Sequence, residues 1–225
     1  MKLQQLAEEK VGVLIVFTLL VVSVGLLIEA VPLFFTKAVT KPIEGVKPYN
    51  ALQVAGRDIY IREGCYNCHS QMIRPFKAET DRYGMYSLSG EFAYDRPHLW
   101  GSKRTGPDLM RVGNYRTTDW HENHMLNPAS VVPGSIMPAY PFLFKKNADI
   151  ETAYAEALTV KKVFNTPYDE KDMPALGTLE QTNANVKAEA AAIVENMKDE
   201  QVKSAFEKGE IRQIVALIAY LNSLK

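Results

Sequence analysis

Both cysteines of this chain fall in one pentapeptide, Cys65-Tyr66-Asn67-Cys68-His69, and that pattern constrains the fold more than any other stretch. Two thiols three residues apart, with a histidine directly after the second, fit one chemistry that uses all three positions. The thiols add across the vinyl groups of a haem, and the imidazole becomes an axial ligand of its iron. A tetrahedral zinc would need two further ligands at finger-like spacing, and there is no second cysteine pair. A redox dithiol would be expected near a βαβ pattern and has no need of the histidine. The expectation is one covalently bound haem c, with Cys65 and Cys68 as thioether positions and His69 on the iron.

A second feature sets where such a domain sits. From Val11 to Ile28 no residue is charged. As a helix this run is roughly 27 Å long, close to the thickness of a hydrocarbon core. A secretory apolar region is shorter and ends at a small-residue cleavage site. Here Glu29-Ala30-Val31-Pro32-Leu33-Phe34-Phe35 follows, without an A-x-A pattern. The reading is an uncleaved anchor over residues 11–35 in the lipid bilayer, with Glu29 as a solvated flank where the uncharged run ends. Lys2 and Lys10 precede the span while Lys37, Lys41 and Lys47 follow it, so the positive-inside count does not decide orientation. The haem motif does: haem attachment occurs on the outer face of an energy-transducing membrane. Residues 1–10 are then cytoplasmic and the C-terminal part lies in the periplasm of a bacterial inner membrane.

The 225 residues suggest one globular domain beyond the anchor. With 26 Lys and Arg against 26 Asp and Glu, no nucleic-acid footprint stands out. Residues 36–50, with two prolines, a glycine and three lysines, read as a linker to a domain over 51–225. Leu52, Ala55, Gly56, Ile59 and Tyr60 share one face of a helix that Gly64 ends. Ile211, Ile214, Val215 and Ile218 repeat that periodicity in a helix over 210–221. Two such helices bracketing a haem motif look like the crossing terminal helices of a class I cytochrome c, with Gly56 at the crossing and Tyr220 as an aromatic partner. Residues 74–116 lack periodicity and predict irregular structure. Residues 147–164 and 184–208 predict surface helices of an insertion at about 145–208. The fold class is mainly α: one N-terminal transmembrane helix and a cytochrome c-like domain with loop and helical insertions.

An electron-carrying haem usually holds its iron from both faces, and methionine opposite histidine raises the potential. Met137 stands in Pro133-Gly134-Ser135-Ile136-Met137-Pro138-Ala139-Tyr140-Pro141, a proline-flanked loop able to present a side chain without folding onto itself. It is the leading candidate. Met173, also followed by proline, is a rival, and Met72 is too near His69 to reach the opposite haem face. His121 and His124 share a helical face and are given a solvated or interface role by default, with a minor claim on the iron. The second nitrogen of His69 needs an acceptor to orient it. Thr105-Gly106-Pro107-Asp108-Leu109 resembles the G-P-x-L segment of class I cytochromes c, which makes the Pro107 carbonyl the candidate. The separation of His69 from Pro107 is longer than in small soluble cytochromes.

Taken together, the chain resembles the mono-haem, membrane-anchored subunit (O subunit, FixO type) of cbb3-type cytochrome c oxidases over nearly its whole length. The resemblance rests on Gly56-Arg57-Asp58-Ile59-Tyr60, on Gly64 through Gln71, on Leu99 through Leu109, and on Val131 through Pro141. It implies a non-catalytic electron-transfer subunit that passes electrons toward a haem–copper catalytic membrane subunit reducing oxygen. A di-haem cytochrome c subunit is the implied donor. Four histidines, one of them on the haem, are too few to build a copper site beside a haem in this chain. The loop Trp100-Gly101-Ser102-Lys103-Arg104 is a candidate for haem-propionate or partner contacts through Trp100, Ser102 and Arg104. Ser102 is also a candidate to help bind a cation at the subunit junction. The alternatives are the small haem c subunit of a nitric-oxide reductase, a family that is shorter and lacks the 100–109 string, and a free-standing anchored cytochrome or haem sensor.

Overall fold

A computed structural model describes residues 3–35, 41–168 and 179–225, and the chain is mainly helical. Among these residues there is no strand, only an isolated antiparallel bridge between Asn147 and Arg212. The chain divides into two units, Met1–Glu44 with Ser89–Ala93, and Gly45–Leu88 with Tyr94–Lys225.

The first unit holds α1 (Leu3–Glu9) and α2 (Val11–Phe35). At 25 residues α2 spans roughly 37 Å and is long and apolar enough to cross a membrane. Leu26, Ile28 and Phe34 are among its exposed side chains, a surface suited to hydrocarbon rather than water. The helix runs on through Glu29 to Phe35, so that carboxylate lies within the helix rather than at its end. Lower in the chain, the Ile43 N–H donates to the Gly90 carbonyl at 3.4 Å.

The second unit carries α3 (Ala51–Arg62), α4 (Lys77–Tyr83), α5 (Thr118–Leu126), α6 (Pro128–Val131), α7 (Ile150–Phe164), α8 (Leu179–Glu195), α9 (Glu200–Glu207) and α10 (Gln213–Ser223). Asn50 starts α3 with a capping box: its side chain accepts from the Gln53 N–H at 3.0 Å, and Gln53 Oε1 accepts from the Asn50 N–H. The apolar face of α3 then buries Leu52, Ala55, Ile59 and Tyr60 against α10, whose residues Gln213–Leu221 are all buried. Each fully buried Leu or Ile in this contact contributes about 1.5–3 kcal/mol. Tyr220 meets Tyr49 and Tyr60 edge-on at 5.6 and 5.5 Å. Tyr49, at the end of the stretch read as a linker, is partly buried against this core; residues 36–40 of that stretch lie outside the described residues.

Two departures from the periodicity have physical causes. The last helix begins at Gln213, not Glu210, because the Asn147–Arg212 bridge and a 2.8 Å bond from the Ala148 N–H to the Ile211 carbonyl hold that strip extended. The 145–208 region is also more than a surface insertion. Ala153 and Ala157 of α7, Ala190 and Val194 of α8, Met197 and Val202 of α9 and its entry turn all join the main core. Small side chains four apart on α7 permit that close packing. Glu122 of α5 accepts from the Lys198 and Asp199 N–H groups at 2.7 and 2.6 Å, fixing the turn into α9. Within 74–116, α4 is a seven-residue helix, too short to leave a periodic signal.

Candidate haem site

The chain leaves α3 through Gly64, whose φ of +70° only glycine adopts without strain. A short 3₁₀ turn, Cys65–Asn67, follows. The Cys65 carbonyl accepts from the N–H groups of both Cys68 and His69, at 3.1 and 2.9 Å. Within one such turn, residues three and four apart are neighbours, the spacing of the two thiols and the imidazole. Cys65 is half-buried and Cys68 exposed. Burial pushes the Cys65 thiol up to about 12, which disfavours the thiolate that a reactive dithiol needs. Among the described residues, no three His, Cys, Asp or Glu side chains converge as ligands for a metal ion.

His69 is held from two sides. Its Nδ1 lies 2.8 Å from the Pro107 carbonyl oxygen, which makes Nδ1 the protonated nitrogen and leaves the Nε2 lone pair for a metal. Gly106 forms a floor under the ring: a Cβ there would come within 2.2 Å of His69 Cε1. No other residue type leaves room for the imidazole in this orientation. An imidazole with a fixed tautomer, beside two thiols at the right spacing, fits covalent haem attachment. Burial depresses the protonation of His69, with the Pro107 bond and the nearby Asp108 charge opposing it.

A polar cluster links the residue after His69 to the residue after Pro107. Ser70 donates to Asp108 at 2.6 Å, and Arg104 donates to Ser70 Oγ at 2.6 Å, to Glu79 at 2.8 Å and to the Met72 carbonyl at 2.8 Å. Arg74 also pairs with Glu79. The Arg104 bond is the main reason that the Glu79 carboxyl is held down at about 2. Deeper still, Gln71 accepts from the Tyr220 hydroxyl at 3.0 Å, while its N–H donates to the Trp100 carbonyl at 3.0 Å. The C-terminal helix is thereby bolted to the segment that follows His69. Apart from Arg74 and Glu79, five residues apart, these partners are separated by 25 to 149 residues, which no local spacing could reveal.

The remaining predicted residues are distributed differently. Within the loop 100–104, Trp100 stacks on His98 at 4.7 Å and is 43% exposed; Ser102 and Lys103 are exposed as well. Arg104 turns inward to the cluster just described. Met137 is half-buried and packs against the main core cluster. Its loop turns at Gly134, with φ +79°, and is pinned where the Tyr140 N–H donates to the Met125 carbonyl at 2.8 Å. Tyr140 is close enough to the cysteine pair for charges there to add to burial in raising its hydroxyl. Met173, the rival ligand, lies outside the described residues.

The solvated role expected of His121 is wrong. It is 1% exposed, with neither ring nitrogen hydrogen-bonded, and burial pushes it down to about 4. The Trp120 ring covers it edge-on, because the α5 face it occupies turns into the core. His124 is half-buried and stacked on Trp120 at 4.4 Å, in electrostatic reach of His69.

No curated protein matches the sequence. Residues 4–225, nearly the whole chain, match the family model described as cytochrome C oxidase, mono-heme subunit/FixO, and the chain belongs to that family.

Proposed function

We propose that the chain is the membrane-anchored electron carrier of a cbb3-type terminal oxidase, with one haem c bound covalently at Cys65 and Cys68. The observation that carries this is the His69 geometry: Nδ1 tied to Pro107 O at 2.8 Å over a Gly106 floor, next to both thiols. Membership of a mono-haem oxidase family supports it. When bound, haem c supplies a one-electron ferric–ferrous couple. His69, through Nε2, and Met137, on its proline-flanked loop, are the residues that would hold the iron. A carrier with both positions filled by protein rearranges little when it gains or loses an electron.

Helix α2 serves as a single transmembrane anchor, with the haem domain on the periplasmic side. Electrons arrive from a di-haem cytochrome c subunit and leave for a haem–copper catalytic subunit in the membrane. The exposed Trp100 and Ser102 are surface groups available to that partner. The test is purification of the native complex from membranes and identification of its metals. Haem b and copper together with haem c are the expected result. Haem b with non-haem iron would instead assign the chain to a nitric-oxide reductase. Carbon monoxide binding to the reduced chain would point to an open iron position and sink the six-coordinate carrier.

A further inference from the structure

We propose that Asp108 is a positioning residue for His69, acting through the Pro107 carbonyl, with Arg104 as its charge partner. The proposal deepens the reading of Cys65, Cys68 and His69 as a haem c site and depends on it. Asp108 is 1% exposed. An ionised carboxylate so deeply buried is costly unless hydrogen bonds and a counter-charge satisfy it. Four donors do so. Oδ2 accepts from Ser70 Oγ at 2.6 Å, from the Met72 N–H at 2.9 Å and from Arg104 at 3.3 Å; Oδ1 accepts from the Met110 N–H at 2.9 Å.

The identity of those donors is what matters. Ser70 follows the iron-binding histidine directly, and Asp108 follows the proline that orients it. The carboxylate therefore joins the two segments one residue away from the Nδ1–carbonyl contact. Two main-chain bonds run alongside: Gly106 N–H to Cys68 O, and Leu109 N–H to Ser70 O, both at 2.9 Å. Pro107 itself is exposed and has no side-chain tether of its own. Its carbonyl stays on Nδ1 because its neighbours are laced to the haem loop. Arg104 balances the buried charge and is itself held by Glu79, Ser70 and the Met72 carbonyl.

Two effects on a bound iron follow, with the same sign. A firm acceptor on Nδ1 makes the imidazole a more basic ligand, and a nearby negative charge favours the more positive metal state. Both stabilise ferric over ferrous. Loosening the clasp must therefore raise the potential.

The test uses the full-length, haem-loaded chain in detergent. Asp108→Asn keeps the volume of the side chain but removes its charge and one acceptor. The expected result is a reduced-to-oxidised ratio several-fold higher at a fixed ambient potential, with faster solvent exchange of the His69 Nδ1 proton by NMR. Ser70→Ala, which leaves the carboxylate in place, should move both readouts the same way by less. Lys77→Ala, which breaks only the exposed pair with Asp81, should move neither. Unchanged potential and exchange in haem-loaded Asp108→Asn would overturn the proposal; if that variant does not accumulate, Ser70→Ala decides on the same readouts. An unmodified chain that releases its haem on denaturation would sink the covalent site itself, a separate outcome.

Discussion

Gly56 of α3 lies directly against the Ala216 carbonyl of α10: a Cβ on Gly56 would fall 2.0 Å from that oxygen and 2.8 Å from Tyr220 Cβ. The obstruction on one side is backbone, so neither rotamer change nor small repacking can relieve it. Gly56→Ala must push the two helices apart and loosen Tyr220, whose hydroxyl holds Gln71, two residues after His69. Overpacking of this kind costs about 1–3 kcal/mol. The full chain in detergent should lose several degrees of thermal midpoint, with a weaker Tyr-to-Gln71 tie seen as altered haem absorbance. An unchanged midpoint would mean that the helices part without cost.

Gly106 predicts a sharper and more local defect. A methyl group there would sit 2.2 Å from His69 Cε1 and 2.7 Å from Nδ1, so the ring has to leave the Pro107 carbonyl. Gly106→Ala should retain haem at the thioethers yet lose the normal axial histidine signature, with iron affinity or electron-transfer rate lower by the 10–100-fold typical of orienting partners. Resonance Raman or magnetic circular dichroism of the purified variant would show it. A native ligand signature would mean that His69 is oriented by something else.

Local patterns made the helices legible, since they depend on spacing within a few residues. Leu52 to Tyr60 and Ile214 to Ile218 carry the 3.6-residue repeat because one face is buried. The Asp108–Ser70–Arg104–Glu79 cluster was invisible for the opposite reason: each member is an ordinary polar residue until the chain brings 70–79 against 104–108. Arg104 reads in the sequence as a propionate or partner contact, yet the fold pairs it with the carboxylates of Glu79 and Asp108. His121 failed similarly, since a histidine in a short polar helix gives no sign of which face turns inward.

Acid and neutral pH should act on two carboxyls in opposite senses. Burial, and then the charge of Glu156, push Asp58 from its ordinary 3.8 to about 6. Folded protein then binds more protons than unfolded across that window, so this contribution is full below about 3.8 and is lost as pH rises through about 6. Glu79, held near 2 against an ordinary 4.5, contributes stability above about 4.5 that is lost as pH falls toward 2. Asp58→Asn should flatten the upper window and raise thermal stability at neutral pH. Glu79→Gln should instead lower stability at neutral pH, by about 1–3 kcal/mol for a lost buried acceptor, and blunt the acid limb. Thermal melts from acid to neutral pH would check both. Parallel curves for Asp58→Asn and the parent would remove that carboxyl from the account.

The methionine loop gives the most direct test of the ligand set. Met137 is half-buried, borders the same core cluster as Cys65, and sits between Gly134, which turns the loop, and Tyr140, whose N–H is fixed to Met125. Flanking prolines at 133, 138 and 141 stiffen the loop, so its side chain is presented rather than buried at will. A thioether on iron favours the ferrous state relative to a nitrogen or water ligand. Met137→Ala should therefore lower the midpoint potential, abolish the sulfur-to-iron absorption band and open the reduced iron to carbon monoxide. The loop's fold should survive, because the Tyr140–Met125 and Ser135–Val132 backbone bonds do not involve the lost side chain. Retention of both the band and the potential would transfer the sixth position to Met173 or to His124, and the matching single substitutions would then show which.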